Sequence, residues 1–249
     1  VAIPRGHVVL ERALSKLGAA TRTEARRLIE AGRVTVDGVV VRDPQWPVVP
    51  ERAKITIDSE TIQTVTRIVV ALHKPRGTVT TRRDPQGRPT VYDCLQGLDA
   101  HVVPVGRLDF ATSGLLLLTN DTRLADRLTD PRTGVVRTYV ATVQGRVEPD
   151  DLLKLEQGIE DDGEALQAMR ASIRKASGKE SVLILDLTEG RNREVRRLCA
   201  AIGHPVTRLK RIAYGPVQLG ELPAGQWRMV PEAELGPIAM PERKRDGHR

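Results

Sequence analysis

The chain has 249 residues, of which 40% are hydrophobic and only 2% aromatic, and it carries a formal net charge of +7. That length admits one large or two smaller domains with a real core. The cationic surplus favours a polyanionic partner, most simply nucleic acid held through Arg and Lys contacts to phosphate, while the scarcity of aromatics argues against a single-strand binder built on stacked rings.

No apolar run approaches the roughly 20 residues that cross a bilayer. The first twelve residues lack the apolar core of a secretion signal, so a cytoplasmic protein with no membrane partner is expected. Cys94 and Cys199 are far apart, and His7, His73, His101, His204 and His248 are scattered. Neither set has metal-ligand spacing, so no metal and no cofactor is expected.

Leu10, Ala13, Leu14 and Leu17 fall at helical spacing and Gly18 ends that helix. Thr21 and Glu24 match a capping box ahead of a second helix, with Ala25, Leu28 and Ile29 inward and Gly32 as its stop. Val34–Val36, Asp37-Gly38 and Val39–Val41 spell a hairpin. Ile55 and Ile57 suggest one more strand. Lys16, Arg22, Arg26, Arg27 and Arg33 gather around the second helix, where Arg22 and Arg26 share a face.

Asp58 to Thr66 is polar and aperiodic and reads as a linker. A strand over Ile68–His73 follows, then a turn at Lys74-Pro75-Arg76-Gly77. Leu115–Leu118 is a short continuous apolar run, which predicts a buried strand. Asn120 and Asp121 precede a helix carrying Leu124, Ala125 and Leu128. Strands are expected at Tyr139–Val143, Val182–Leu187 and Val206–Tyr214, and helices at Pro149–Leu155 and Arg193–Ile202. The class is α+β with a mixed, largely antiparallel sheet. The expected division is residues 1–57, a linker 58–66, a second domain 67–240 and a basic disordered tail 241–249.

Four pieces of the second domain carry the charged residues that chemistry needs: Lys74–Gly77, Gly106–Asp121, Arg137-Thr138-Tyr139 and Glu189–Arg197. In the second, Asp109 lies two residues after Arg107 and just ahead of the apolar strand. A carboxylate beside a core strand is tied to a cation or at work. The arginines that open the 193–202 helix sit badly with its dipole, which calls for an anion such as a phosphate or the Asp109 carboxylate.

The stretch Thr21–Gly38 resembles the small RNA-binding module first seen in ribosomal small-subunit protein four. The four pieces behind it, in this order and over roughly Val8–Val230, resemble the RsuA/RluB type of rRNA pseudouridine synthase. The opening Gly-Arg-Leu-Asp points to that branch.

The resemblance implies a fold, a helix–helix–hairpin RNA-binding domain followed by a catalytic domain, and an isomerase without cofactor. It also implies roles. Asp109 matches the essential aspartate, Tyr139 the tyrosine that stacks on the target base, and Arg196 the arginine that pairs with the aspartate. Leu209 lines the pocket, while Arg107, Lys74 and Arg137 are expected to bind substrate. Arg193 and Arg197 join Lys16, Arg22, Arg26, Arg27 and Arg33 as RNA contacts. Arg137 stands where lysine is common and Glu194 where Gln is frequent. The implied partner is ribosomal RNA, free or in a pre-ribosomal particle, with the large subunit favoured and a monomer as the working form. Two other readings are a non-catalytic ribosome assembly factor on this fold and a nucleoside hydrolase. The hydrolase would want a second carboxylate, for which Asp121 and Asp130 are available.

Overall fold

The computed structural model describes residues 7–50, 52–62 and 67–239. The expected basic tail at 241–249 and residues 63–66 of the expected linker lie outside them. Two compact units emerge. One contains the described residues of Val1–Ile68, Leu98–Val103 and Thr119–Ala125; the other contains those of Val69–Gly97, Pro104–Leu118 and Asp126–Arg249. Among the described residues no helix is long and apolar enough to cross a membrane.

In the first unit, strand β1 (Val8–Val9) leads into helices α1 (Leu10–Lys16) and α2 (Arg22–Glu30). Thr21 caps α2 by accepting a hydrogen bond from the Glu24 amide at 3.2 Å. Strands β2 (Val34–Val36) and β3 (Val39–Val40) form the expected hairpin. Asp37 and Gly38 both take positive φ, as a tight two-residue turn demands. β4 (Pro47–Val48) pairs with β1. β5 (Ile55–Ile57) and β6 (Glu60–Thr61) complete a sheet of order β3-β2-β5-β6. The expected linker therefore begins with structure: Asp58 and Ser59, at φ 49° and 71°, turn the chain so that Glu60–Thr61 pairs back on β5. Leu10, Leu14, Ala25, Ile29, Val34 and Ile55 fill this unit's core.

The second unit is built on a large sheet. Its strands are β7 (Val69–Lys74), β8 (Val103–Pro104), β9 (Thr112–Thr119), β10 (Arg137–Gln144), β13 (Arg170–Ala176), β14 (Glu180–Leu187), β15 (Val206–Tyr214), β16 (Val217–Gln218) and β17 (Trp227–Met229). The small hairpin β11 (Ile159–Asp161) and β12 (Glu164–Leu166) lies apart from it. The order across the sheet is β13-β14-β10-β15-β9-β7-β17. β9 and β15 run parallel, whereas β10 is antiparallel to both β14 and β15. Leu115–Leu118 is wholly buried, as its apolar run predicts.

Helix α3 (Thr122–Thr129) starts where Asp121 accepts from the amides of Arg123 and Leu124. α4 (Pro149–Gln157) and α5 (Glu194–Ala201) follow. Val195, Leu198 and Cys199 of α5 join Ala141, Leu183, Leu185 and Leu209 in one core cluster, which fixes the helix beside β10 and β15.

Two backbone features shape the site. Gly114 lies opposite Arg211 in the β9–β15 pair. A Cβ there would fall 2.1 Å from the Arg211 carbonyl oxygen, so only glycine lets these strands close. The β10–β15 register shifts between Thr138 and Tyr139, bringing Tyr139 opposite Arg211. Such irregularities re-aim side chains near functional sites.

Candidate active site

A cleft of about 160 Å³ opens on one face of the second unit's sheet. Asp109, Arg107, Tyr139, Leu209, Arg193 and Glu194 line it. Strands β10 and β15 deliver Tyr139 and Leu209, the turn ahead of β9 delivers Asp109, and the start of α5 delivers Arg193 and Glu194. Sequence positions up to 102 apart thus meet in one place.

The Asp109 turn is held by its backbone. Lys74, fully buried at the end of β7, donates from Nζ to the carbonyl oxygens of Pro75 (3.0 Å), Asp109 (3.1 Å) and Thr112 (2.9 Å). Thr80 Oγ1 donates to the Leu108 carbonyl at 2.9 Å, and the Gly77 amide donates to that of Phe110, also at 2.9 Å. The Asp109 carboxylate itself is left 37% exposed, facing the cleft.

The expectation that Lys74 binds substrate is corrected by this geometry. Its three donors are spent on carbonyls and none of its surface is open. Burial brings its ammonium down to about 8, against the pull of Asp109. Arg137 is similar. The residue is 4% exposed, and its guanidinium donates to the carbonyls of Thr188 (2.6 Å), Glu189 (2.8 Å) and Leu128 (3.0 Å) and to the Tyr214 hydroxyl (3.1 Å). A planar fork is needed to serve so many acceptors at once, which accounts for arginine rather than lysine.

The arginine expected to pair with Asp109 is also reassigned. Arg193 makes that ion pair, Nη1 to Oδ2 at 3.7 Å. It does so from a left-handed backbone, φ 50° and ψ 30°, at the start of α5, a conformation uncommon for a residue with a side chain. Arg196, one turn on, instead donates to the carbonyls of Val206 (3.3 Å) and Ala111 (3.4 Å). Burial lowers its pKa, Arg193 and Arg76 lower it further, and the nearby Asp109 charge raises it. Arg197, expected on RNA, is bound to Asp161 and Glu164 of the β11–β12 hairpin.

Within the first unit, Glu11 of α1 is 3% exposed and takes Arg26 (2.9 Å) and Arg22 (3.5 Å) as partners. Arg26, foremost, holds its carboxyl below the usual range. Arg33 pairs with Asp58. Arg27 is exposed and Lys16 half-buried.

Sequence reasoning missed two buried charged members of the cleft. Arg211 is 2% exposed, donates from Nε to the Leu115 carbonyl at 2.7 Å and stacks 4.9 Å from the Tyr214 ring centre. Glu194 is 5% exposed, and its Oε2 accepts from the Arg191 amide at 3.3 Å. Burial pushes its carboxyl up to about 7. Among the described residues, Glu194 Oε1, Arg211 Nη2 and Thr112 Oγ1 are buried without a hydrogen-bond partner, and all three residues line the cleft. The alternation of β15 could have placed Arg211 beside Leu209; nothing in the sequence marks Glu194 as buried.

A model of the RNA pseudouridylate synthase family matches residues 68–201, and an S4 domain model matches residues 10–52. The chain is 38% identical to an uncharacterized RNA pseudouridine synthase of Aquifex aeolicus (strain VF5), over 93% of each chain. It is 43% identical to ribosomal large subunit pseudouridine synthase B of Escherichia coli (strain K12), covering 88% of this chain and 77% of that one. A crystal structure of a pseudouridylate synthase superposes with a TM-score of 0.64 at 28% identity, covering 93% of this chain and 99% of the other. The matched family segment begins at the strand that carries Lys74 and ends with α5, so it includes Asp109, Tyr139 and Arg193 of the cleft, and the chain belongs to the RNA pseudouridylate synthase family.

Proposed function

We propose that the chain isomerises specific uridines of large-subunit ribosomal RNA to pseudouridine, with Asp109 as the reacting carboxylate. The observation that carries this is the Asp109 carboxylate, fixed by its backbone and open to a cleft that also holds Tyr139. The relative named for the large subunit supports the choice of RNA. The residues 1–57 serve as the RNA-docking domain, joined through 58–66 to a catalytic domain over 67–240. The enzyme works as a monomer in the cytoplasm, on free rRNA or a pre-ribosomal particle.

The reaction breaks the bond from uracil N1 to ribose C1′, turns the base and joins C5 to C1′. C5 loses a proton and N1 gains one, so no redox partner is required. Asp109 acts on the bound nucleotide as nucleophile or base. Arg193 Nη1 stands 3.7 Å from its Oδ2, within reach of the reacting carboxylate. Tyr139 stacks on the flipped base, Leu209 packs its edge and Arg107 holds its phosphate. Stacking and phosphate contacts offset the few kcal/mol of leaving the RNA stack.

The test is tritium release from rRNA labelled at uridine C5. Wild-type protein should release tritium and Asp109→Asn should not, while both bind RNA alike. Release undiminished in Asp109→Asn would remove Asp109 from the reaction. Binding without release by the wild type would favour the assembly-factor reading.

A further inference from the structure

Phe110, the only phenylalanine in the chain, follows Asp109 directly and is 47% exposed. Its position is not loose. The Gly77 amide donates to its carbonyl, and Lys74 holds the carbonyl one residue earlier. The ring therefore projects from a turn whose backbone is held at two successive carbonyls.

A cation is built against it. The Arg88 guanidinium lies 5.8 Å from the ring centre. Arg88 is itself held by Asp84, with Nε to Oδ2 at 3.0 Å, Nη2 to Oδ1 at 2.8 Å and its backbone amide to Oδ2 at 2.8 Å. Those bonds keep Asp84 down to about 2, so the clamp persists across the working pH range. A surface cation–ring pair contributes only about 0.5–1 kcal/mol to folding, and it leaves the ring 47% exposed and open to a ligand.

We propose that Phe110, backed by Arg88, is a positioning residue: a platform on which an RNA base flanking the target uridine stacks when the target leaves the helix. The inference rests on the proposed uridine isomerisation. When one base is flipped out, its neighbour loses a stacking partner. A rigid ring one residue from Asp109 is placed to replace that partner and fix the register of the strand over the carboxylate. Base–aromatic stacking tolerates any sequence and is strong enough to matter, at about 1–3 kcal/mol per base. The Arg88 cation strengthens the stack.

The experiment uses an rRNA stem-loop whose pseudouridine site has been mapped by chemical labelling with the wild-type protein. 2-Aminopurine replaces the base on the 5′ or the 3′ side of that site. Binding should quench one of the two probes in wild type, and Phe110→Leu should lose the quench. Phe110→Leu should also lower kcat/KM about tenfold, mainly through KM, with Phe110→Trp restoring both signals. Arg88→Gln should lie between. Equal quench and equal kcat/KM in wild type and Phe110→Leu would overturn the proposal, as would loss in Phe110→Leu that Phe110→Trp does not restore. Failure of the reaction itself would show separately and earlier, as a wild-type protein that forms no pseudouridine at the mapping step, and it would overturn this proposal with it.

Discussion

Two sets of cations surround the cleft, and they do opposite things. On its floor, Lys74 and Arg137 are buried and spend their hydrogen bonds on protein acceptors, mostly backbone carbonyls. On its rim, Arg107 is exposed and Arg193 is more than half exposed, with its ion pair to Asp109 at 3.7 Å. The floor builds the frame that aims Asp109 and Tyr139. The rim is the part left for a phosphate. Net charge counts both alike, so the formal +7 overstates what the site can offer a polyanion.

The strongest test of that division is Lys74→Met. It deletes three hydrogen bonds that hold the Asp109 turn without touching the cleft's open surface. A shift of about 1 Å in a reacting group costs on the order of 10²-fold in rate. The expected outcome is a loss of about that size in single-turnover pseudouridine formation. Thermal unfolding should show a stability loss of about 1–3 kcal/mol, and RNA affinity should be nearly unchanged. Weakened RNA binding with normal turnover would move Lys74 from the floor to the rim.

This division is also where sequence reading stopped. The apolar strand Leu115–Leu118, the α2 cap at Thr21 and the whole of Val206–Tyr214 are legible because period, caps and branched residues are local signals. The strand Arg170–Ala176 was not named, although Ala171 and Ile173 alternate with polar neighbours. It lies at the sheet edge, where the polar face dominates the composition. The roles of the cations are not local at all. Lys74 and Arg107 both stand near turns in sequence, and only the packing around β7 buries one of them. Which arginine reaches Asp109 depends on the left-handed backbone at Arg193, and helical periodicity carries no trace of it.

Glu194 sharpens the contrast from the anionic side. It is a floor residue, and burial pushes its carboxyl up to about 7 from an ordinary value near 4.5. Between those two values the native state holds the proton that the unfolded chain has lost. Stability therefore falls as pH rises across that window, by about 3 kcal/mol for a shift of this size. Denaturant unfolding from pH 4.5 to 7.5 should show a decline in wild type that Glu194→Gln flattens. Identical pH profiles for the two proteins would mean that Glu194 is solvated in the native state and belongs with the rim.

The rim makes the smallest and most selective prediction. Arg107→Gln removes a charge that no carboxylate in the described protein is paired with. Its effect on unfolding should stay within about 0.5 kcal/mol, the range of ordinary surface changes. Its effect on RNA should be visible in salt dependence rather than in fold. Each phosphate contact releases counterions, so losing one reduces the slope of log affinity against log salt by about 0.7–0.9. Arg193→Gln should give a similar slope change and also slow turnover, because Arg193 sits against the Asp109 carboxylate while Arg107 does not. Measured together, the two variants separate holding the RNA from contact with the Asp109 carboxylate. Equal turnover in both would leave Arg196, held on the Val206 and Ala111 carbonyls, as the cation that matters to the reaction.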